Sequence, residues 1–305
     1  MPPELSELTE QISLTPFQAI GIPIALIGAV FLSLGAQFQH RGVGKVEALH
    51  GDGTKSGLSP RQILLLLARP SWVLGTLMLA LAVVFQLTAL GFAPLIVVQP
   101  LGVVALVITA VVNARVSRIQ LDRHAIRAIM LCVGGVGVFV TIAAVYAVER
   151  EITQTQLLIV LGVLGLVTAG FGLAFALLRR TATAMFYIVG AGVLYGFVAT
   201  LAKVVLNRIV NGNLDWLTLV AVVALLASAV LGGYFVQTAY SVGSPDLVIA
   251  GLTVVDPLVA VLIGVIVLGE ASLIPPVAAI AAVIVGVIAI VGVIQLAKHH
   301  PQTHR

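Results

Sequence analysis

The chain has 305 residues, 60% of them hydrophobic and only 9% charged, with a mean hydropathy of +1.16. A water-soluble fold needs more charge than this to solvate its surface, so the composition excludes a soluble enzyme or binding module and predicts an all-α integral membrane protein. The net charge of +4 does not point to nucleic acid, because the basic residues fall in the short segments between apolar runs, where membrane insertion places them.

A crossing takes about 20 apolar residues, and about nine transmembrane helices are predicted, at 17–38, 70–90, 94–113, 124–146, 156–178, 184–203, 216–240, 245–268 and 273–297. They leave no room for a soluble domain, so residues 1–305 read as a single transmembrane domain. Glu4, Glu7 and Glu10 precede the first run with no Lys or Arg, unlike the basic start of a signal peptide, and that run is expected to be retained. The polar stretch from His40 to Arg61 reads as a solvated loop. Its Gly51–Gly57 segment looks superficially like a phosphate loop but lacks the GxxxxGK[ST] order. The apolar run Gln62–Ala68, bracketed by Pro60 and Pro70, is too short to cross and reads as an interfacial helix or the remnant of a tenth span.

Cys132, the one cysteine, lies in an apolar run and is assigned to helix packing, with no disulfide, thiolate metal site or redox pair. His299, His300 and His304 read as a polar tail. No metal site and no cofactor are assigned. With the N-terminus outside, Arg41, Lys45, Lys55, Arg61, Arg69, Arg115, Arg118, Arg123, Arg127, Arg179, Arg180, Lys298 and Arg305 fall on the cytoplasmic side, and only Arg150, Lys203 and Arg208 outside. This bias predicts a cell (plasma) membrane protein, N-terminus out and C-terminus in.

Residues 85–143 laid over 235–294 show an internal repeat. Phe85, Thr88 and Ala89 fall on Phe235, Thr238 and Ala239, and after a slip of one residue Pro94 falls on Pro245, Ala128 on Ala279, Ile129 on Ile280 and Gly135 on Gly286. A proline opens the third helix of each half. The first repeat is placed at 17–146, a linking helix at 156–178 and the second repeat at 184–297. An offset of five helices inverts one four-helix half relative to the other, an arrangement by which transporters alternate access to a central site.

Asp256 stands mid-way along the run 245–268, and an ionised Asp facing lipid there would cost at least about 2.5 kcal/mol. It is expected to face the bundle interior or a wet cavity, as a candidate carrier of a proton or another cation. The alternative is a protonated carboxyl bonded to a neighbouring helix. Pro257 removes a backbone donor beside it, and Pro94 and Pro100 break the third span similarly. Gln99, Gln86, Gln237 and Tyr195 are the candidate substrate-pathway residues, since amides and a phenol can orient a solute without adding charge, and helix packing is the competing role for each. Gln37, Gln39 and Asn113 lie near helix ends, and Lys203 is expected to snorkel to the interface. Glu270 and Asp246 are expected to be solvated caps. Gly192 and Gly196 form a GxxxG pair suited to close packing, within the fold or against a second copy as a homodimer. An intramembrane protease needs two facing acids, or a base beside its nucleophile, and every His lies at or beyond a helix end, so no enzyme is expected.

The run from Gly251 through Asp256-Pro257 and Gly264 to Leu268-Gly269-Glu270, followed by a glycine-bearing apolar helix, resembles the closing helices of the EamA-like drug/metabolite transporter (DMT) superfamily. Ala93-Pro94 followed by Gln99-Pro100-Leu101-Gly102, and Gln39-His40-Arg41-Gly42 at the end of the first helix, resemble its NIPA-type magnesium-transporter branch, as does the number of spans. The resemblance implies secondary transport of a small-molecule or ion cargo. The chain departs from the pattern at Arg118-Ile119, where the other half-repeat has Gly-Glu, and at Val83, where the NIPA branch carries an acid in the second helix with only Gln86 nearby here. Three alternatives stand: a small-solute carrier coupled to protons or another cation through Asp256, a magnesium transporter, and a lipid translocase or a non-transporting structural protein.

Overall fold

The structure, a computed structural model, describes residues 16–50, 68–116, 123–149, 151–178, 183–242 and 245–298. These form α1 (Pro16–His50), α2 (Pro70–Phe92), α3 (Leu95–Leu101), α4 (Val103–Val116), α5 (Arg123–Tyr146), α6 (Gln154–Leu178), α7 (Ala184–Val210), α8 (Trp216–Val242), α9 (Pro245–Ile266) and α10 (Pro276–Lys298), with no strand among the described residues. Nine of their segments are long and apolar enough to cross a membrane, and the chain is an all-α membrane protein. Hydrocarbon leaves no water for backbone N–H and C=O groups, so each crossing satisfies them internally as helix.

The nine predicted spans each overlie one observed span. The boundaries differ by more than three residues in two places. The helix of the first span continues to His50, since no proline removes a backbone donor between Pro23 and that point. The sixth continues past Lys203 to Val210, because Lys203 and Arg208 are both buried among partners within the fold. The Gly51–Gly57 stretch, residues 62–67, Arg150 and the three C-terminal histidines lie outside the described residues, as do the side chains of Asn113 and Asp246.

Glycine sets where helix backbones meet, as packing between membrane helices requires. Along α1, Gly21, Gly28 and Gly35 abut α2, and a Cβ on Gly75 of α2 would stand 2.6 Å from the backbone nitrogen of Gln39. The Gly192 and Gly196 pair packs within the fold, where added Cβ atoms would fall 2.6 Å from Val255 and 2.7 Å from Val259 on α9. Between α5 and α10 the contact is reciprocal. Gly135 lies against Ala289, and Gly292 lies against the backbone of Cys132, which is buried as a packing residue. Thus α1 packs chiefly on α2, α7 on α8 and α9, and α5 on α10, while α6 leans lightly on α7 and α8.

The third span is broken. Pro94 caps α3, Pro100 lies inside it, and Gly102 joins it to α4 through turn bonds from Gly102 N to Gln99 O and from Ala105 N to Gly102 O, both 3.1 Å. At the α7–α8 turn, Gly212 has φ of 73°, a left-handed conformation that glycine adopts without strain. Asp215 then opens α8. It accepts from Thr218 N at 2.9 Å and pairs with Arg208 Nη2 at 2.7 Å. The Thr218 amide is the largest of the influences that hold the Asp215 carboxyl below the usual carboxylate value, with Arg208 adding to it.

Candidate functional site

A cavity of about 640 Å³ is walled by α1, α2, α3, α7 and α9 and by the α3–α4 break. Most of its wall is apolar, including Leu32, Val83, Leu90, Val198 and Leu252, and glycine or alanine at Gly28, Ala29, Ala199 and Ala202 keeps it open. Its polar groups are Asp256, Gln99, Gln86, Tyr195 and Thr253. The structure therefore brings Asp256 together with three of the four sequence-named polar residues. Gln237 stands elsewhere, exposed on α8 and absent from the cavity wall.

Helix chemistry positions these groups. Asp256 sits on the α9 turn that Gly192 and Gly196 let approach α7, and a Cβ on Gly196 would lie 3.0 Å from the Asp256 carbonyl. Tyr195, between the two glycines, presents its ring edge to Gly232 of α8 while lining the cavity. Pro257 lacks the N–H that would bond the carbonyl of Thr253, and Thr253 lines the cavity, its hydroxyl donating to Ile249 O at 2.7 Å. Two buried side-chain atoms of wall residues, Asp256 Oδ1 and Gln99 Nε2, have no hydrogen-bond partner among the described residues. A buried polar atom left unpaired costs about 1–3 kcal/mol. Among the described residues no three His, Cys, Asp or Glu side chains gather as a preformed metal cage.

One end of this cavity carries a second polar cluster that the sequence reading misplaced. Lys203 does not snorkel. It is 4% exposed, and its Nζ donates to Ala93 O and Glu149 Oε1, each at 2.9 Å, and to Leu90 O at 3.4 Å. Those three bonds use all its donors. Glu270 is not a solvated cap of its own helix. It is 3% exposed and accepts from the N–H groups of Leu95 and Ile96, both at 2.9 Å, capping α3 from the far end of α9. Its Oε1 also stands 3.9 Å from Lys203 Nζ. The free amides at the start of α3 are the reason, since a buried helix N-terminus needs acceptors and a carboxylate supplies two. Gly264 makes the approach feasible, because a Cβ there would fall 2.7 Å from Glu270 Oε2. Backbone bonds from Glu270 N to Gly264 O and from Val148 N to Glu270 O, each 2.9 Å, fix the segment further. Gln156 completes a capping box with Thr153 on α6 and donates across to Val267 O at 3.0 Å.

Nine helices long and apolar enough to cross a membrane among the described residues, with a polar-tipped cavity between them, define a polytopic membrane protein. Residues 17–181 match the family model described as Magnesium transporter NIPA, and the chain belongs to that family. An uncharacterized protein of Corynebacterium glutamicum is 27% identical over 252 residues, which cover 82% of this chain and 85% of the relative. No solved structure matches the chain.

Proposed function

We propose that the protein is a secondary transporter that moves magnesium across the membrane as a hydrated ion, with Asp256 as the charge that binds it. The observation that carries this reading is Asp256 Oδ1, a buried carboxylate oxygen with no hydrogen-bond partner among the described residues, on a residue that shares one cavity wall with Gln99, Gln86 and Tyr195. Magnesium sheds its waters reluctantly and is held through one or two carboxylates with several waters retained. A single carboxylate, flanked by amides and a phenol that can bond those waters, suits such an ion, and the cavity has room for its octahedral shell. Family membership supports the choice of cargo.

Alternating access would come from two inverted halves, 17–146 and 184–297, joined by α6. The pairing of α1 with α2 and of α7 with α8, and the reciprocal glycine contact between α5 and α10, are what such a two-fold relation would produce. The loop charges support an orientation with the N-terminus outside.

A second reading is favoured by the apolar wall. Leu32, Val83, Leu87, Leu90 and Leu252 would suit the body of a small organic solute, with Asp256 carrying a coupled proton or other cation. Reconstitution separates the two. Proteoliposomes loaded with a magnesium-sensitive dye should show magnesium entry that is lost in Asp256→Asn. Absence of any magnesium flux from protein shown to be folded would dismiss the first reading and leave the solute carrier.

A further inference from the structure

We propose that Lys203 is a gate residue of the transport cycle, an ammonium latch that closes one mouth of the cavity by tying the ends of four helices to α7. The inference rests on the transport reading and adds a residue that the binding site itself does not use.

The three donors of Lys203 reach the C-terminal end of α2 at Leu90 and Ala93 and the segment after α5 at Glu149. Its ion pair reaches Glu270, which follows α9 and caps the start of α3. Lys203 itself belongs to α7. Of these partners, Leu90 also lines the cavity, as do Ala199 and Ala202 on the turn of α7 that carries Lys203, and Gln99 lies four residues beyond Leu95. The cluster thus closes the cavity at the α2–α3 junction. Its carboxylates play different parts. Glu270 is bound to two backbone amides and would hold its place whether or not the ammonium is there. Glu149 is 36% exposed, and Lys203 is its one ion-pair partner among the described residues. Water reaching Glu149 can replace the ammonium there, so the latch opens from its wet rim without stranding two charges in hydrocarbon. When the ammonium leaves Leu90 and Ala93, the end of α2 is released from α7 and the mouth can part.

The test is side-specific labelling. Ala199→Cys, placed in a Cys132→Ala background of the full chain in membrane vesicles of known orientation, reports access to the cavity through a membrane-impermeant maleimide applied to either face. Without cargo, the parent should label slowly from the face that carries the cluster. Lys203→Met should label roughly tenfold faster from that face alone, the change expected when loss of a buried charge-assisted bond favours the open state, and Lys203→Arg should stay near the parent rate. A merely structural lysine would lower thermal stability and change labelling from both faces or neither, and an unchanged rate in folded Lys203→Met overturns the latch. If that variant does not fold, Glu149→Gln takes its place. It should label several-fold faster from the same face, and an unchanged rate there is equally fatal. Since labelling needs no cargo, failure of the magnesium reading leaves this result standing, and Asp256→Asn can lose flux while labelling as the parent does.

Discussion

Asp256 on α9 and Gln99 on α3 stand in the same relation to their helices: each precedes a proline, each lines the same cavity, and each carries a buried side-chain atom with no hydrogen-bond partner among the described residues. Proline removes the backbone donor that the carbonyl four residues earlier would use, so each helix is locally loosened where its polar side chain projects. For α9 that carbonyl belongs to Thr253, on the cavity wall, and for α3 it belongs to Ile96, whose own N–H is held by Glu270. Broken helices that carry polar groups at mid-membrane are places where backbone and side chain can both meet a guest.

Replacing Asp256 by Asn removes the charge and almost no volume. Since Oδ1 accepts no bond from the described residues, thermal stability should stay at or above the parent value, because an uncharged amide is cheaper to bury. Magnesium flux in proteoliposomes should fall at least about tenfold, the loss expected when a charged ligand is withdrawn from a sparsely charged site. Asp256→Glu should recover part of it. Normal flux in Asp256→Asn would remove the carboxylate from the mechanism.

Two glycine substitutions should part company. At Gly196 a new methyl would meet Val259 Cβ at 2.7 Å and the Asp256 carbonyl at 3.0 Å, so Gly196→Ala must push α7 and α9 apart and should cost about 1–3 kcal/mol. At Gly162 on α6 a methyl meets nothing within 4 Å, and Ala favours helix over Gly by about 0.5–1 kcal/mol. Thermal unfolding in detergent should therefore place Gly196→Ala well below the parent and Gly162→Ala at or slightly above it.

The spans were legible because lipid leaves the backbone no option except helix, so hydropathy alone locates them. Asp256, Gln99, Gln86 and Tyr195 were legible as candidates for a related reason, each being a polar group in an otherwise apolar run. That they share one cavity, and that Gln237 does not line it, depends on helix rotation, which hydropathy does not carry. Lys203 and Glu270 were misread because a charge near the end of a hydrophobic run looks like an interface residue. Their meaning lies in a contact between Glu270 and Leu95, 175 positions apart in the chain. A trace of it was present in Gly264, which clears the space for the carboxylate, and in Pro94, which opens a helix whose first amides need an acceptor, but neither names its partner.

The α7–α8 turn predicts a pH dependence of stability. The Asp215 carboxyl is held below its unfolded value by the Thr218 amide, then by the side-chain bond from Arg208 and by Thr218. A depressed carboxylate contributes stability that is complete above its unfolded value and is lost as pH falls through the folded one. Asp215→Asn should therefore lower the thermal midpoint at neutral pH, and the gap from the parent should narrow through the acid range and close below it. A gap that persists unchanged to low pH would assign the effect to shape and not to charge.

Gln99 allows a sharper separation of binding from packing. Its amide nitrogen is buried and has no partner among the described residues, so a purely structural glutamine would be a poor choice at this position, costing about 1–3 kcal/mol for the unpaired donor. Gln99→Leu removes that donor at similar volume and should leave the thermal midpoint unchanged or raise it, while the KM for magnesium rises because waters of the ion, which donate outward, lose the amide oxygen as an acceptor. Stability gained with transport affinity lost is the signature of a residue kept for its guest. If Gln99→Leu is instead destabilised and binds magnesium as the parent does, Gln99 belongs to the packing between α3 and its neighbours, and Asp256 would have to hold the ion with Gln86 and Tyr195 alone.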